Sequence, residues 1–197
     1  MQRVSDFFGE IDERWPTCST TKVRLHVIGC GALMLQTRYE RGTKDSDVFD
    51  AFGLAVETKE HLLRIAGVGT ELATRRLMYV DIVRNGVPFL PHVPRWHAID
   101  ELNRKLTRLE VFVLDVVDVV VSKLKPFRPN DRSDIDAMIA LDLVPHDLLV
   151  ERFRSAADDW AGGATADRLP LYVKNLNEVE RDMLGEDETE IELPSWI

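Results

Sequence analysis

Residues 23–50, VRLHVIGCGALMLQTRYERGTKDSDVFD, decide how this chain is read. Val23, Leu25 and Val27 alternate with Arg24 and His26, the period of a half-buried strand. Gly29-Cys30-Gly31 ends that strand, and residues 32–39 suit a short helix with Ala32, Leu33 and Leu35 inward. Arg41-Gly42-Thr43-Lys44 is a turn, and residues 45–49 form the next strand. Asp45 and Asp47 stand two apart on it, and residues i and i+2 of a strand share a face. Two neighbouring carboxylates repel each other unless something positive sits between them. Oxygen donors of this kind suit Mg²⁺, with Mn²⁺ as its substitute. A glycine turn on the adjoining strand lets a phosphate come close to the backbone. One short segment therefore holds the parts of a metal-dependent phosphoryl- or nucleotidyl-transfer site.

Around this segment the composition is ordinary. The chain has 197 residues, 45% hydrophobic and 30% charged, enough for one sizeable core or for one core with a helical appendage. No apolar run is long enough to span a bilayer, so no membrane partner is expected. The first fifteen residues carry too many charges for a signal peptide, and cytoplasmic residence is the simplest expectation. Cys18 and Cys30 do not make a disulfide scaffold or a metal site. A net charge of -9 argues against a chain that coats nucleic acid non-specifically, while leaving room for a local basic groove. Much of the acid lies in residues 178–192, which read first as a solvated tail and second as a docking segment for a basic partner.

Working outward, Phe7, Phe8, Ile11 and Trp15 predict a helix over residues 5–15, followed by a loop from Pro16 through Thr17, Ser19, Thr20 and Thr21. A helix is expected over 58–66, a helical turn over 71–76, and a strand over 77–83 with Leu77, Tyr79, Asp81 and Val83 on one face. Asn85-Gly86 is a hairpin-type turn, and Pro88, Pro91 and Pro94 exclude regular structure after it. Extended segments follow over 95–114. Residues 115–124 have the valines of a strand, but Asp115 or Asp118 can cap a helix there. Helices are predicted over 131–141, 146–160 and 172–184, with a flexible link over 161–165. The whole reads as α+β: an α/β core with an amino-terminal helix over 1–114, then a helical part with an acidic tail over 115–197.

The motifs differ in weight. Gly29-x-Gly31 alone is an ordinary strand-to-helix turn and lacks the third glycine of a dinucleotide fingerprint. Thr43-x-Asp45-x-Asp47 is stronger, because Arg38, Arg41 and Lys44 beside it can contact a triphosphate. Asp81, in an otherwise apolar strand, would complete a carboxylate triad able to hold one or two metal ions. A second cluster comprises Lys123, Arg128, Asp131 and Asp134. Lys123 and Arg128 can reach phosphates; equally, Asp131 can be a helix cap and Lys123–Asp134 a structural ion pair. The histidines lack metal-ligand spacing, the tryptophans read as packing anchors, and there is no nucleophile elbow or zincin motif.

Together, Gly29-Cys30-Gly31-Ala32-Leu33, Arg41-Gly42-Thr43-Lys44-Asp45-Ser46-Asp47, Tyr79-Val80-Asp81-Ile82-Val83, Ser122-Lys123-Leu124, Arg128 and Asp131-Arg132-Ser133-Asp134 resemble the nucleotidyltransferase-fold superfamily. The nearest likeness is to the AbiEii-like group, which includes MenT toxins and the toxins of abortive-infection and toxin–antitoxin systems. The resemblance covers roughly residues 20–142 and implies a mixed β-sheet core flanked by helices. It implies that Asp45 and Asp47, with Asp81, bind Mg²⁺, that Gly29 and Gly31 line the triphosphate, and that Lys123 and Asp131 match the group's later motifs. Transfer of a nucleoside monophosphate to an RNA hydroxyl, such as a tRNA 3′ end, follows, with a cognate antitoxin as protein partner. The alternatives are a small-molecule acceptor such as an aminoglycoside, or an idle domain that only binds a nucleotide or a protein.

Overall fold

The structure is a computed structural model that describes residues 2–16, 21–50, 53–194 and 196; Cys18 and the expected loop residues Thr17, Ser19 and Thr20 lie outside them. The chain divides into two units, Met1–Val87 with Trp96–Leu114, and Pro88–Arg95 with Asp115–Ile197. The fold is α+β, with a mixed sheet flanked by helices and a helical carboxy-terminal part.

The first unit runs α1 (Gln2–Arg14), β1 (Val23–Ile28), α2 (Gly29–Gln36), β2 (Asp45–Asp50), α3 (Val56–Ala66), α4 (Glu71–Arg76), β3 (Tyr79–Arg84), β4 (Trp96–Ala98), α5 (Asp100–Asn103) and β5 (Leu109–Leu114). The strand order is β3-β2-β1-β5-β4. The β1–β5 and β2–β3 pairs are parallel; β1–β2 and β4–β5 are antiparallel. Alternation divides the sheet into two chemistries. Leu25, Val27, Ser46, Val48, Val80, Leu109, Val111 and Val113 are buried on one face. Arg24, His26, Asp45, Asp47, Tyr79, Asp81, Glu110 and Phe112 on the other are at least partly exposed. Helix α2 lies on the apolar face. A Cβ at Gly31 would come 3.2 Å from Ser46 Oγ and 3.3 Å from Val27 Cγ1, so the missing side chain lets helix and sheet close up.

Helix α1 buries Val4, Phe7, Phe8 and Ile11. Its Asp12 carboxylate, also buried, accepts the backbone N–H groups of Thr107 (2.9 Å), Arg108 (2.7 Å) and Leu109 (2.7 Å). It thereby caps the start of β5. Two expectations change here. Leu77 is not a strand residue: it ends α4 in the left-handed region at φ 51° and is exposed, so β3 begins at Tyr79. Residues 95–114 are not extended throughout, because α5 interrupts them.

The second unit contains α6 (Val116–Lys123), α7 (Pro129–Ala140), α8 (His146–Ala161), α9 (Leu169–Val179) and a π-helical turn, Glu180–Leu184. The valine-rich α6 is helical because Asp115 caps it, accepting the Val117 N–H at 3.0 Å. Residues 88–95, which the prolines keep irregular, pack within this unit. Phe89 meets Phe153, Trp160 and Tyr172 with ring centroids 5.4, 5.7 and 5.2 Å away. Buried Asp118 accepts from Arg152 Nε (2.6 Å), Arg152 Nη2 (2.7 Å) and the Arg95 N–H (2.7 Å). The acidic run 178–192 is not simply a solvated tail. Glu180 is fully buried, lies 2.8 Å from His146 Nε2 and accepts the Thr189 N–H at 3.0 Å, so the chain folds back on itself. No helix among the described residues is long and apolar enough to cross a membrane.

Candidate active site

The site is built where β1 ends. The last residue of β1, Ile28, pairs with Asp47 on β2, and Asp47 pairs with Asp81 on β3. Directly paired residues project to one side of a sheet, with strands about 4.8 Å apart. Asp45, two residues earlier, pairs with Tyr79. Three carboxylates and a phenol thus form a two-by-two block on the open face. Their field is felt by the phenol: burial raises the Tyr79 pKa above its ordinary value, and Asp45, Asp81 and Asp47 raise it further. Tyr79 is the residue that motif reading overlooked as a member of this block; the parallel register of β2 and β3, invisible in a single strand, brings it in.

The glycine turn is coupled to the carboxylates. Gly29 has φ 62°, and a Cβ there would stand 2.8 Å from Asp47 Oδ2. Only glycine combines that backbone with that approach. Gly31, by contrast, is buried in the packing of α2 on the sheet. Thr43 is also buried, and its hydroxyl donates to Asp45 Oδ1 at 2.7 Å, orienting that carboxylate. Asp81 Oδ1 accepts the backbone N–H of Ile82 at 2.9 Å. Lys44 is exposed and Arg41 half-buried at the preceding turn.

Asp45, Asp47 and Asp81 share a face without converging on one point. Among the described residues no three His, Cys, Asp or Glu side chains gather closely enough to hold a cation by themselves. Their hard carboxylate oxygens could hold only a partly hydrated Mg²⁺, whose remaining ligands would be water and substrate phosphate.

Lys123, Arg128 and Asp131 belong to the second unit. Lys123 is buried and bridges Asp131 Oδ1 (3.1 Å) and fully buried Asp134 Oδ2 (2.7 Å). Burial alone would lower the lysine pKa, but Asp134 and Asp131 hold it above the ordinary value. Asp131 Oδ2 also accepts the Arg128 N–H at 3.1 Å, a capping box that starts α7. Arg128 itself is exposed.

No curated protein and no solved structure matches the chain. One family model does, over residues 7–177, well beyond half of the chain. The chain belongs to the DUF6036 family, described as a nucleotidyltransferase of unknown function.

Proposed function

We propose that this protein moves a nucleoside monophosphate from a nucleoside triphosphate to an acceptor hydroxyl, breaking the α–β phosphoanhydride bond and releasing pyrophosphate, in a Mg²⁺-dependent reaction centred on Asp45 and Asp47. The observation that carries the reading is the Asp47–Asp81 register pair standing against the Gly29 turn. Asp45 and Asp47 would hold the ion, which would neutralise the triphosphate and make its α-phosphorus more electrophilic. Thr43 holds Asp45 Oδ1 by its hydroxyl, which leaves Oδ2 of that carboxylate to the ion. Gly29 leaves room beside Asp47. Asp81 accepts the proton of the attacking hydroxyl, and Tyr79, kept protonated by its neighbours, is a donor to a developing phosphate charge. Arg38, Arg41 and Lys44 meet the phosphate tail. Lys123 and Asp131 enter this reading as a buried clamp between α6 and α7.

The order of motifs along the chain favours the AbiEii-like toxins within the superfamily, and so an RNA acceptor, a tRNA 3′ end first among them, and an antitoxin partner. The test is incubation with each of the four α-labelled triphosphates, Mg²⁺ and total tRNA, beside Asp47→Asn. Label in RNA with the intact protein and none with the variant supports the reading. Triphosphate binding without transfer to tRNA or to aminoglycosides points to an idle binding domain. Growth arrest on expression, relieved by Asp47→Asn, tests the toxin assignment.

A further inference from the structure

The face that carries the carboxylates continues into a group of aromatic rings. Phe49 follows Asp47 by two residues on β2 and projects to the same side, about 7 Å along the strand. His26 on β1 pairs with Phe112 on β5, and Trp96 on β4 pairs with Leu114 next to it. The rings are ordered. His26 stacks on Phe112 (centroids 5.4 Å, planes 17° apart), and Phe49 stacks on Trp96 (6.1 Å, 21°). Trp96 meets His26 edge to face at 4.8 Å. Together with Arg24 and residues 53–55 they line a cleft of about 580 Å³. His26, Trp96 and Phe112 are only half-buried, so ring surface is open to a ligand. Arg24 lies 5.8 Å from the Phe112 ring centroid and is paired to Glu110 at 3.0 Å, so its charge is compensated. Burial, and then Arg24, push the His26 pKa down to about 4, which leaves an uncharged imidazole at neutral pH.

A cleft walled by flat, uncharged rings selects a flat, uncharged ring. Two residues of β2, about 7 Å, separate it from Asp47, about the span of a single sugar. From the sequence alone Trp96 reads as a packing anchor and His26 as a histidine without metal-ligand spacing; strand register brings the two rings together.

We propose that the His26–Phe49–Trp96–Phe112 cleft is a nucleobase-stacking subsite, holding the base whose phosphate or sugar lies at Asp45 and Asp47. It rests on the proposed function for its direction, but not for its occupant. The base comes either from the triphosphate or from the terminal nucleotide of an acceptor.

The direct test uses the full chain, without metal or phosphate, titrated with adenosine, guanosine, cytidine and uridine while tryptophan fluorescence is followed. At least one nucleoside should quench emission saturably. Trp96→Leu should abolish the quench, and Phe112→Leu should weaken binding on the order of tenfold, as expected for loss of one stacking ring. Phe112→Tyr, which keeps the ring, should bind within about twofold of the parent and guards against a folding artefact. No saturable binding, or binding indifferent to both leucine variants, overturns the subsite; so does concentration-dependent self-association that Trp96→Leu abolishes, which would make the patch a protein contact. A non-hydrolysable triphosphate distinguishes the sources: displacement of the nucleoside assigns the base to the triphosphate, simultaneous binding assigns it to the acceptor, and either supports the subsite. Magnesium tripolyphosphate, which has no base, reports on the carboxylates alone. If it binds and nucleosides do not, the subsite fails and the proposed function stands; if nucleosides bind and it does not, the subsite stands and the function fails.

Discussion

Asp47 on β2 and Asp81 on β3 lie directly opposite each other in a parallel pair, on the face of the sheet that is not covered by α2. Like charges across a strand pair cost stability, and a fold maintains such a pair only where something else is gained. Asp81→Asn should therefore raise stability slightly, by about 0.2–1 kcal/mol. The same change should lower transfer activity on the order of a hundredfold if Asp81 is the proton acceptor. Urea unfolding and label transfer on the same preparation check the two together; lower stability together with unchanged activity would count against both.

Gly29 offers a sharper local test. Alanine there must adopt φ 62° and push against Asp47 Oδ2, 2.8 Å from its Cβ. Gly29→Ala should cost about 1–3 kcal/mol. It should also displace the Asp47 carboxylate, so that activity falls further than the lost stability explains. Gly31→Ala meets Ser46 Oγ at 3.2 Å and Val27 at 3.3 Å, on the apolar face. Its effect should be confined to stability, read as a change in Tm with the activity of the folded fraction kept.

Lys123 separates a structural from a catalytic lysine. Lys123→Met leaves fully buried Asp134 without its cation and should cost about 3–5 kcal/mol. Adding Asp134→Leu should recover much of that loss, because the uncompensated charge is gone. A double-mutant cycle in urea measures the coupling. Recovery of stability with activity still absent would give Lys123 a role in the reaction beyond the clamp.

His26 predicts a pH dependence. Its folded pKa of about 4 lies below the ordinary 6.5, so on acidification the unfolded chain takes up this proton first. Stability should fall as pH drops from about 6.5 to 4 and level off below. His26→Gln should flatten that part of the profile. Unfolding at pH 7 and pH 4.5 for both proteins is the measurement, and equal losses in the two would exclude His26 as a source.

Much of the core was legible because it is written in local periods. The alternation of Val23–Ile28 and the Asp45-x-Asp47 spacing each place side chains on a face without knowledge of a partner strand. The cap on α6 was equally local: Asp115 outweighed the strand propensity of the valines. What escaped depends on register between strands distant in sequence. Tyr79 joins the carboxylates only because it pairs with Asp45, and the aromatic cleft draws single residues from β1, β2, β4 and β5. Glu180 looked like one acid in a solvated run, since nothing local shows that His146 and the Thr189 N–H converge on it.

In the proposed reaction Asp45 and Asp47 present a metal-bound triphosphate. Electron paramagnetic resonance of Mn²⁺ with a non-hydrolysable nucleoside triphosphate tests it without knowledge of the acceptor. Protein-bound Mn²⁺ should require the triphosphate, be lost in Asp45→Asn and Asp47→Asn, and persist in folded Phe112→Tyr. Mn²⁺ and triphosphate binding that survives both aspartate changes in full would contradict it.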